Sequence, residues 1–233
     1  MVVTNRKSIL PLLVLGFLFL LPGIHLGAQD ILTAENYFDE ISQRYGKIED
    51  YEADITITRG EGIMAGKLFY RTPNLLRIDF TEPQDQVLVT DGKLLTIYIP
   101  KYEVIMEQNL KRRSQATLAT MAGSQGLMLL KRNYSVAYLE GPDPTPLEEG
   151  STEKVVQLKL SSRSTSEGFR QIDISVAGNG LIRRIRAITL GYEELVYDFE
   201  EIRVNQNIPE NRFLYDSPSY ANVYSDFLFD AEE

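Results

Sequence analysis

GKLFYRTPNLLRIDFTEPQDQVLVTDGKLLTIYIPKYEVIM, running from Gly66 to Met106, decides the fold. It carries five short apolar runs separated by Thr72-Pro73-Asn74, Glu82-Pro83-Gln84, Asp91-Gly92 and Pro100-Lys101, combinations that form turns between neighbouring strands. The stretch predicts an antiparallel meander. Within it Leu68, Tyr70, Leu76, Ile78, Phe80, Val87, Val89, Leu95 and Ile97 recur at spacings of two, so each strand can turn one apolar face to a common side. The opposite set is mixed. Lys67, Arg71, Arg77, Asp79, Thr90 and Thr96 tolerate water, whereas Phe69, Leu75, Leu88 and Tyr98 do not. A sheet of this kind needs something to cover or fill its strongly apolar side.

Upstream, Thr33 is placed to cap a helix carrying Phe38, Ile41, Tyr45 and Ile48 at steps of three and four. That helix either packs as ordinary core or closes over the apolar face of the sheet. Tyr51 to Arg59 alternates Ala53, Ile55 and Ile57 with Glu52, Asp54 and Thr56, which predicts a half-buried strand ending in a turn at Gly60-Glu61-Gly62.

Downstream, Ala116 to Met121 and Gly126 to Leu130 predict short helices joined through Gly123-Ser124. Met121, Leu127 and Met128 make this segment either a core helix pair or an adaptable, movable lid. Strands are then predicted at Tyr134 to Leu139, Lys154 to Leu160, Phe169 to Val176, Leu181 to Thr189 and Glu193 to Val204, with Gly178-Asn179-Gly180 as a hairpin turn. The acidic, proline-rich stretch from Gly141 to Gly150 is expected to be an exposed loop. Asn207-Ile208-Pro209 with Phe213, Tyr215 and Pro218 predicts a last irregular strand. The aromatic tail from Tyr220 either docks back on the body or binds a partner. The pattern is mainly β, about ten or eleven strands with few helices, in a single domain.

The first 28 residues have the layout of a secretory leader: Arg6 and Lys7, an apolar run from Ile9 to Leu21, then Leu26-Gly27-Ala28 before Gln29-Asp30. The alternative is an uncleaved membrane anchor, for which the apolar run is a little short of the roughly 20 residues of a span; cleavage near Ala28 would leave a domain from residue 29 to 233 and take the formal charge from −9 to −11. An acidic protein of this kind is not built for nucleic acid or an anionic lipid surface. The chain has no cysteine, and its single histidine, His25, lies in the leader. Histidine-activated nucleophiles, catalytic cysteine and zinc sites of His or thiolate are therefore all excluded from the mature domain, and neither a metal nor a cofactor is expected.

The succession Gly66-Lys67-Leu68-Phe69-Tyr70-Arg71-Thr72-Pro73-Asn74-Leu75-Leu76-Arg77, then Val87-Leu88-Val89-Thr90-Asp91-Gly92-Lys93, then Tyr98-Ile99-Pro100, resembles the signature region of the periplasmic outer-membrane lipoprotein carriers, the LolA family. The resemblance implies an incomplete, unclosed antiparallel β-barrel with helices across its mouth, enclosing an apolar cavity for lipoprotein acyl chains. It further implies an inner-membrane ABC transporter that loads the protein and an outer-membrane receptor that unloads it, with the carrier itself a monomer. Leu68, Tyr70, Leu76, Ile78, Phe80, Val89, Leu95 and Ile97 are the implied lining, and Phe38, Ile41, Met121, Leu127 and Met128 the lid candidates. The family commonly has a basic latch residue immediately before the motif proline. Here Thr72 holds that place and Arg71 precedes it, and successive strand residues face opposite sides.

Other readings stay open at this level. The same apolar positions suit a filled β core. A half-barrel could also serve a regulatory protein that senses lipids or lipoproteins, with Arg183, Arg184 and Arg186 or the aromatic tail as contacts. An enzyme would have to use carboxylates such as Asp79, Asp91 or Glu193 and Glu194. Asp91 is explained by its turn, and neighbouring glutamates on a strand point apart.

Overall fold

The computed structural model describes residues 32–110, 123–164 and 167–227. Thr33 caps helix α1 (Ala34–Tyr45) as its hydroxyl accepts the Asn36 N–H. Strands β1 (Asp50–Arg59), β2 (Gly62–Arg71), β3 (Leu75–Glu82), β4 (Val87–Thr90), β5 (Leu94–Ile99) and β6 (Val104–Asn109) follow as a meander, each antiparallel to the next. Helix α2 (Ser124–Asn133) leads into β7 (Tyr134–Tyr138), β8 (Thr145–Pro146), β9 (Lys154–Ser162), β10 (Phe169–Ala177), β11 (Ile182–Thr189), β12 (Glu194–Val204) and β13 (Asn222–Ser225).

Among the described residues the thirteen strands form one sheet, in the order β13-β6-β5-β4-β3-β2-β1-β12-β11-β10-β9-β7, with β8 added beside β9. The edges, β13 and β7, do not meet, so the barrel stays unclosed. Only β13 runs parallel to its neighbour. The strand count exceeds the expected ten or eleven because β8, two residues long, and β13, four residues long, carry no apolar pattern of their own.

Curvature has local causes. Gly66 sits where the β2–β3 register shifts, and a Cβ there would lie 2.4 Å from the Asp79 carbonyl oxygen. Only a residue without one lets β3 come so close. A second irregularity falls between Glu52 and Asp54 on β1, opposite Glu201 with its φ of +49° on β12. A third makes Arg183 the extra residue on β11 opposite Ser175 and Val176.

Both faces of the sheet are apolar in places, and they are covered differently. On the outer face a strap after β12 turns around Asp50, which is 3% exposed and accepts the N–H groups of Gln206 at 2.7 Å and Ile208 at 3.2 Å. Asn205 and Asn207 take left-handed conformations there, which asparagine tolerates. The strap then buries Ile208 and Phe213 against Phe69 and Leu75, stacks Arg212 over the Phe69 ring and places Tyr215 beside Tyr98. This explains the water-averse side chains Phe69, Leu75 and Tyr98 on the otherwise polar side.

Two expectations for the connecting segments change. Residues 207–218 form no strand; Glu210–Phe213 is a 3-10 turn, because the segment lies across the sheet instead of extending it. The loop from Gly141 to Gly150 is anchored at its middle by β8, with Leu147 buried. Over its described part, to Phe227, the tail docks through backbone pairing of β13 with β6, while Val223 and Tyr224 stay exposed.

Replacing Asp50 with alanine leaves two backbone donors without their charged acceptor and should cost about 3 kcal/mol. Urea unfolding measures it, and a midpoint equal to wild type would show that the strap holds without Asp50.

Candidate functional site

The concave face divides into a filled part and an open part. In the filled part, Phe38 and Ile41 of α1 and Leu127 of α2 are buried in one apolar core with Leu158, Leu160, Ile172, Ile174 and Ile185 from β9, β10 and β11. The Tyr45 hydroxyl accepts the Ile182 N–H at 2.9 Å and so ties the end of α1 to β11. Lys131 of α2 bonds both carboxylate oxygens of Asp39 on α1 at 2.6 Å. That pair is more than a third exposed on each side, so its strength is at most about 1 kcal/mol.

In the open part lies a trough of about 360 Å³, lined by β1 through β5, β12 and the start of β10. Its walls are Tyr51, Ile55, Ile57, Met64, Leu68, Leu76, Ile78, Phe80, Leu88, Ile97, Phe169, Leu195, Tyr197 and Phe199, with Arg59 and Gln86 as the polar exceptions. Arg59 is held at 2.7 Å by Glu193. Burial pushes the Tyr51 hydroxyl well above the ordinary tyrosine range, with Tyr45 and Tyr70 adding to the effect. It also raises Tyr197, against the charge of Arg59. Both shifts register how little water reaches the walls.

Of the lining expected from the sequence, Leu68, Leu76, Ile78, Phe80 and Ile97 face this trough. Tyr70 and Leu95 share the concave face but lie outside the walls: Tyr70 donates to the Pro73 carbonyl at 3.2 Å, and Leu95 sits buried opposite Thr90 and Gln108. Val89 corrects the expectation, because it pairs with Arg77 and Thr96 on the outer face while Leu88 pairs with Ile78 and Ile97 and takes the inner place. The run Val87-Leu88-Val89 has no polar residue to mark its parity, and the turn after β3 resets it. Sequence reasoning also stopped at the meander and so missed Leu195, Tyr197 and Phe199. They reach the trough because β1 pairs with β12, far away along the chain, a contact no local pattern announces.

The lid candidates separate in the same way. Phe38, Ile41 and Leu127 point inward, but Met128 is 58% exposed and turns away from the sheet, while Met121 and the helix expected at Ala116 to Met121 lie outside the described residues. Neither latch candidate bonds a helix among the described residues. Arg71 falls on the outer face and donates to the Ile208 carbonyl of the strap, and the backbone N–H of Thr72 donates to the Glu49 carbonyl at 2.8 Å. The ion pair joining α1 to α2 is Lys131–Asp39 instead.

The carboxylates weighed for catalysis are all engaged elsewhere. Asp79 bridges Arg77 and Arg212, each at 2.7 Å. Asp91 accepts the N–H groups of Lys93 and Leu94 in its turn. Glu193 and Glu194 take different arginines, Arg59 and Arg186. The basic cluster is likewise matched: Arg183 and Arg184 share Asp198, with Glu153, Glu200 and Glu148 around them.

Comparison with known proteins adds to this geometry. A family model described as outer membrane lipoprotein carrier protein LolA matches residues 56–216. An outer-membrane lipoprotein carrier protein of Photorhabdus laumondii subsp. laumondii is 25% identical over 193 residues, covering 78% of this chain and 85% of the relative. Another, from Pseudomonas putida strain W619, is 24% identical over 221 residues, covering 94% of this chain and 97% of the relative. The crystal structure of an uncharacterized conserved protein from Thermus thermophilus shares the fold at a TM-score of 0.53 and 12% identity, over 82% of this chain and 98% of that one.

The seat of α2 yields a direct test. A Cβ on Gly123 would fall 2.2 Å from the Tyr70 hydroxyl oxygen, so Gly123→Ala should destabilise the protein by about 1–3 kcal/mol. Tyr70→Phe, which removes that oxygen, should restore part of the loss in the double variant. Strict additivity in thermal or urea unfolding would mean that α2 does not rest on Tyr70.

Proposed function

The chain belongs to the outer-membrane lipoprotein carrier family, and from that premise we propose that it holds lipoprotein acyl chains in the open trough and escorts them between membranes. The observation that carries the reading is the trough itself: apolar walls from seven strands around a space of about 360 Å³ that the side chains of the described residues leave unfilled. A volume of that order suits a small apolar ligand.

The physical need is plain. Each methylene kept from water is worth about 0.8 kcal/mol, so an acyl chain of roughly 15 methylenes would cost about 12 kcal/mol to carry unprotected through an aqueous compartment. A non-covalent apolar trough can take up such a chain and release it again. In this reading residues 1–28 are the leader, the domain from residue 29 works in the periplasm, an inner-membrane ABC transporter supplies the cargo and an outer-membrane receptor takes it. No reaction is catalysed. Among the described residues, no helix is long and apolar enough to cross a membrane.

The test is Leu76→Glu or Ile78→Glu. Each places a carboxylate in the wall of the trough, and burying that charge against acyl chains should weaken retention of a diacylated lipopeptide roughly a hundredfold. Circular dichroism and unfolding midpoints establish that the variants fold. Undiminished retention by folded variants would take the cargo out of the trough.

A further inference from the structure

Three tyrosine rings meet where the open trough joins the helix-covered half of the concave face, Tyr51 edge-on to Tyr45 and tilted against Tyr70. The Tyr51 ring lies 5.2 Å from Tyr70 and 6.5 Å from Tyr45. Two of their hydroxyls are engaged, Tyr45 with the Ile182 N–H and Tyr70 with the Pro73 carbonyl. Tyr51 differs. It is 5% exposed and lines the trough, yet its hydroxyl has no hydrogen-bond partner among the described residues. Nor is that hydroxyl sealed among side chains, since the one fully enclosed side-chain polar atom without a partner among the described residues is Ser42 Oγ. The Tyr51 hydroxyl therefore keeps some open surface, and the space that Tyr51 borders is the trough. Burial raises its pKa well above 10, so it keeps its proton and stays a donor.

An unpaired donor in an apolar wall is unfavourable when the site is empty, and it selects a ligand that brings an acceptor. Saturated tails bring none. The acceptors that accompany acyl chains are the ester or amide carbonyls at their heads. Tyr51 and Arg59 stand eight residues apart on β1, about 27 Å at the rise of an extended strand. A carbonyl at Tyr51 thus fixes the direction of the chain beyond it.

We propose that the Tyr51 hydroxyl donates a hydrogen bond to an acyl ester or amide carbonyl of the cargo, which seats the carbonyl end beside the helices and sends the tails along β1 toward Arg59. The inference rests on the trough being the cargo site and adds what is recognised there and in which orientation.

Ester and ether lipids with identical tails separate the two ideas, because the ether lacks the carbonyl. Binding is read by displacement of diphenylhexatriene, a hydrocarbon fluorophore, from the full mature chain. Wild type should prefer a diacylated lipopeptide over its dialkyl ether analogue by roughly five- to tenfold, and Tyr51→Phe should lose that preference, read as the ester-to-ether ratio within each variant so that any change in its affinity for the fluorophore cancels. The same pair of measurements with diester and diether phosphatidylcholine tells whether the carbonyl can come from a phospholipid as well as from a lipoprotein. Tyr51→Phe removes no bond from the fold and should not lower the unfolding midpoint. Equal binding of ester and ether by wild type, or a preference that survives in Tyr51→Phe, overturns the proposal while leaving the trough as the cargo site. Failure of wild type to bind the fluorophore and either lipid overturns the trough reading, and the proposal with it.

Discussion

A sheet with apolar side chains on both faces cannot stand in water, and the rest of this structure follows from how each face is covered. The outer face of β2 to β5 is covered by the strap that leaves β12, wraps Asp50 and lays Ile208 and Phe213 on Phe69. Arg77 reinforces the strap by donating to the carbonyls of Arg212 and Leu214 at 3.2 and 3.0 Å. The strap covers the outer face around Phe69, Leu75 and Tyr98, and the concave face is covered only in part. The helices take the half formed by β7 and β9 to β11, and the half formed by β1 to β5 and β12 remains a trough.

The parts of this arrangement that were legible in the sequence are those written in local periodicity and turn chemistry. The five strands from β2 to β6 follow from the alternation and turns of one stretch, and Thr33 marks the start of α1 by its capping chemistry. The side assigned to a residue was legible only where polar neighbours fixed the parity. Leu76, Ile78 and Phe80 alternate with Arg77 and Asp79 and face inward as expected, whereas Val89, with an apolar neighbour before it, does not. What joined the meander to the second group of strands was hidden. The pairing of β1 with β12 brings Tyr197 and Phe199 beside Ile57 and Ile55, and nothing in either segment names the other.

Charge is used on this protein to hold its shape. Arg183 is the bulged residue of β11, so it and Arg184 emerge on the same outer face and both reach Asp198, at 3.0 and 2.6 Å. Arg186 meets Asp173 and Glu194 on that face as well. A run of three arginines that reads as a basic patch in the sequence is thereby neutralised across β10, β11 and β12. The chain as a whole keeps its acidic balance.

The two halves of the concave face differ in what fills them but not in kind. Phe38, Ile41 and Leu127 occupy their half by apolar burial, each worth roughly 1.5–3 kcal/mol, while the polar tie between the helices, Lys131 to Asp39, adds at most about 1 kcal/mol. The position of the helices is therefore set by the same non-directional force that would hold an acyl chain beside them. Methylene groups of a cargo and side chains of a helix are equivalent at such a surface, and exchanging one for the other changes the total little. Under the proposed carrier role, a site that fills and empties gains from that near balance, and a deeper polar lock on the helices would tighten the empty form and raise the barrier to loading.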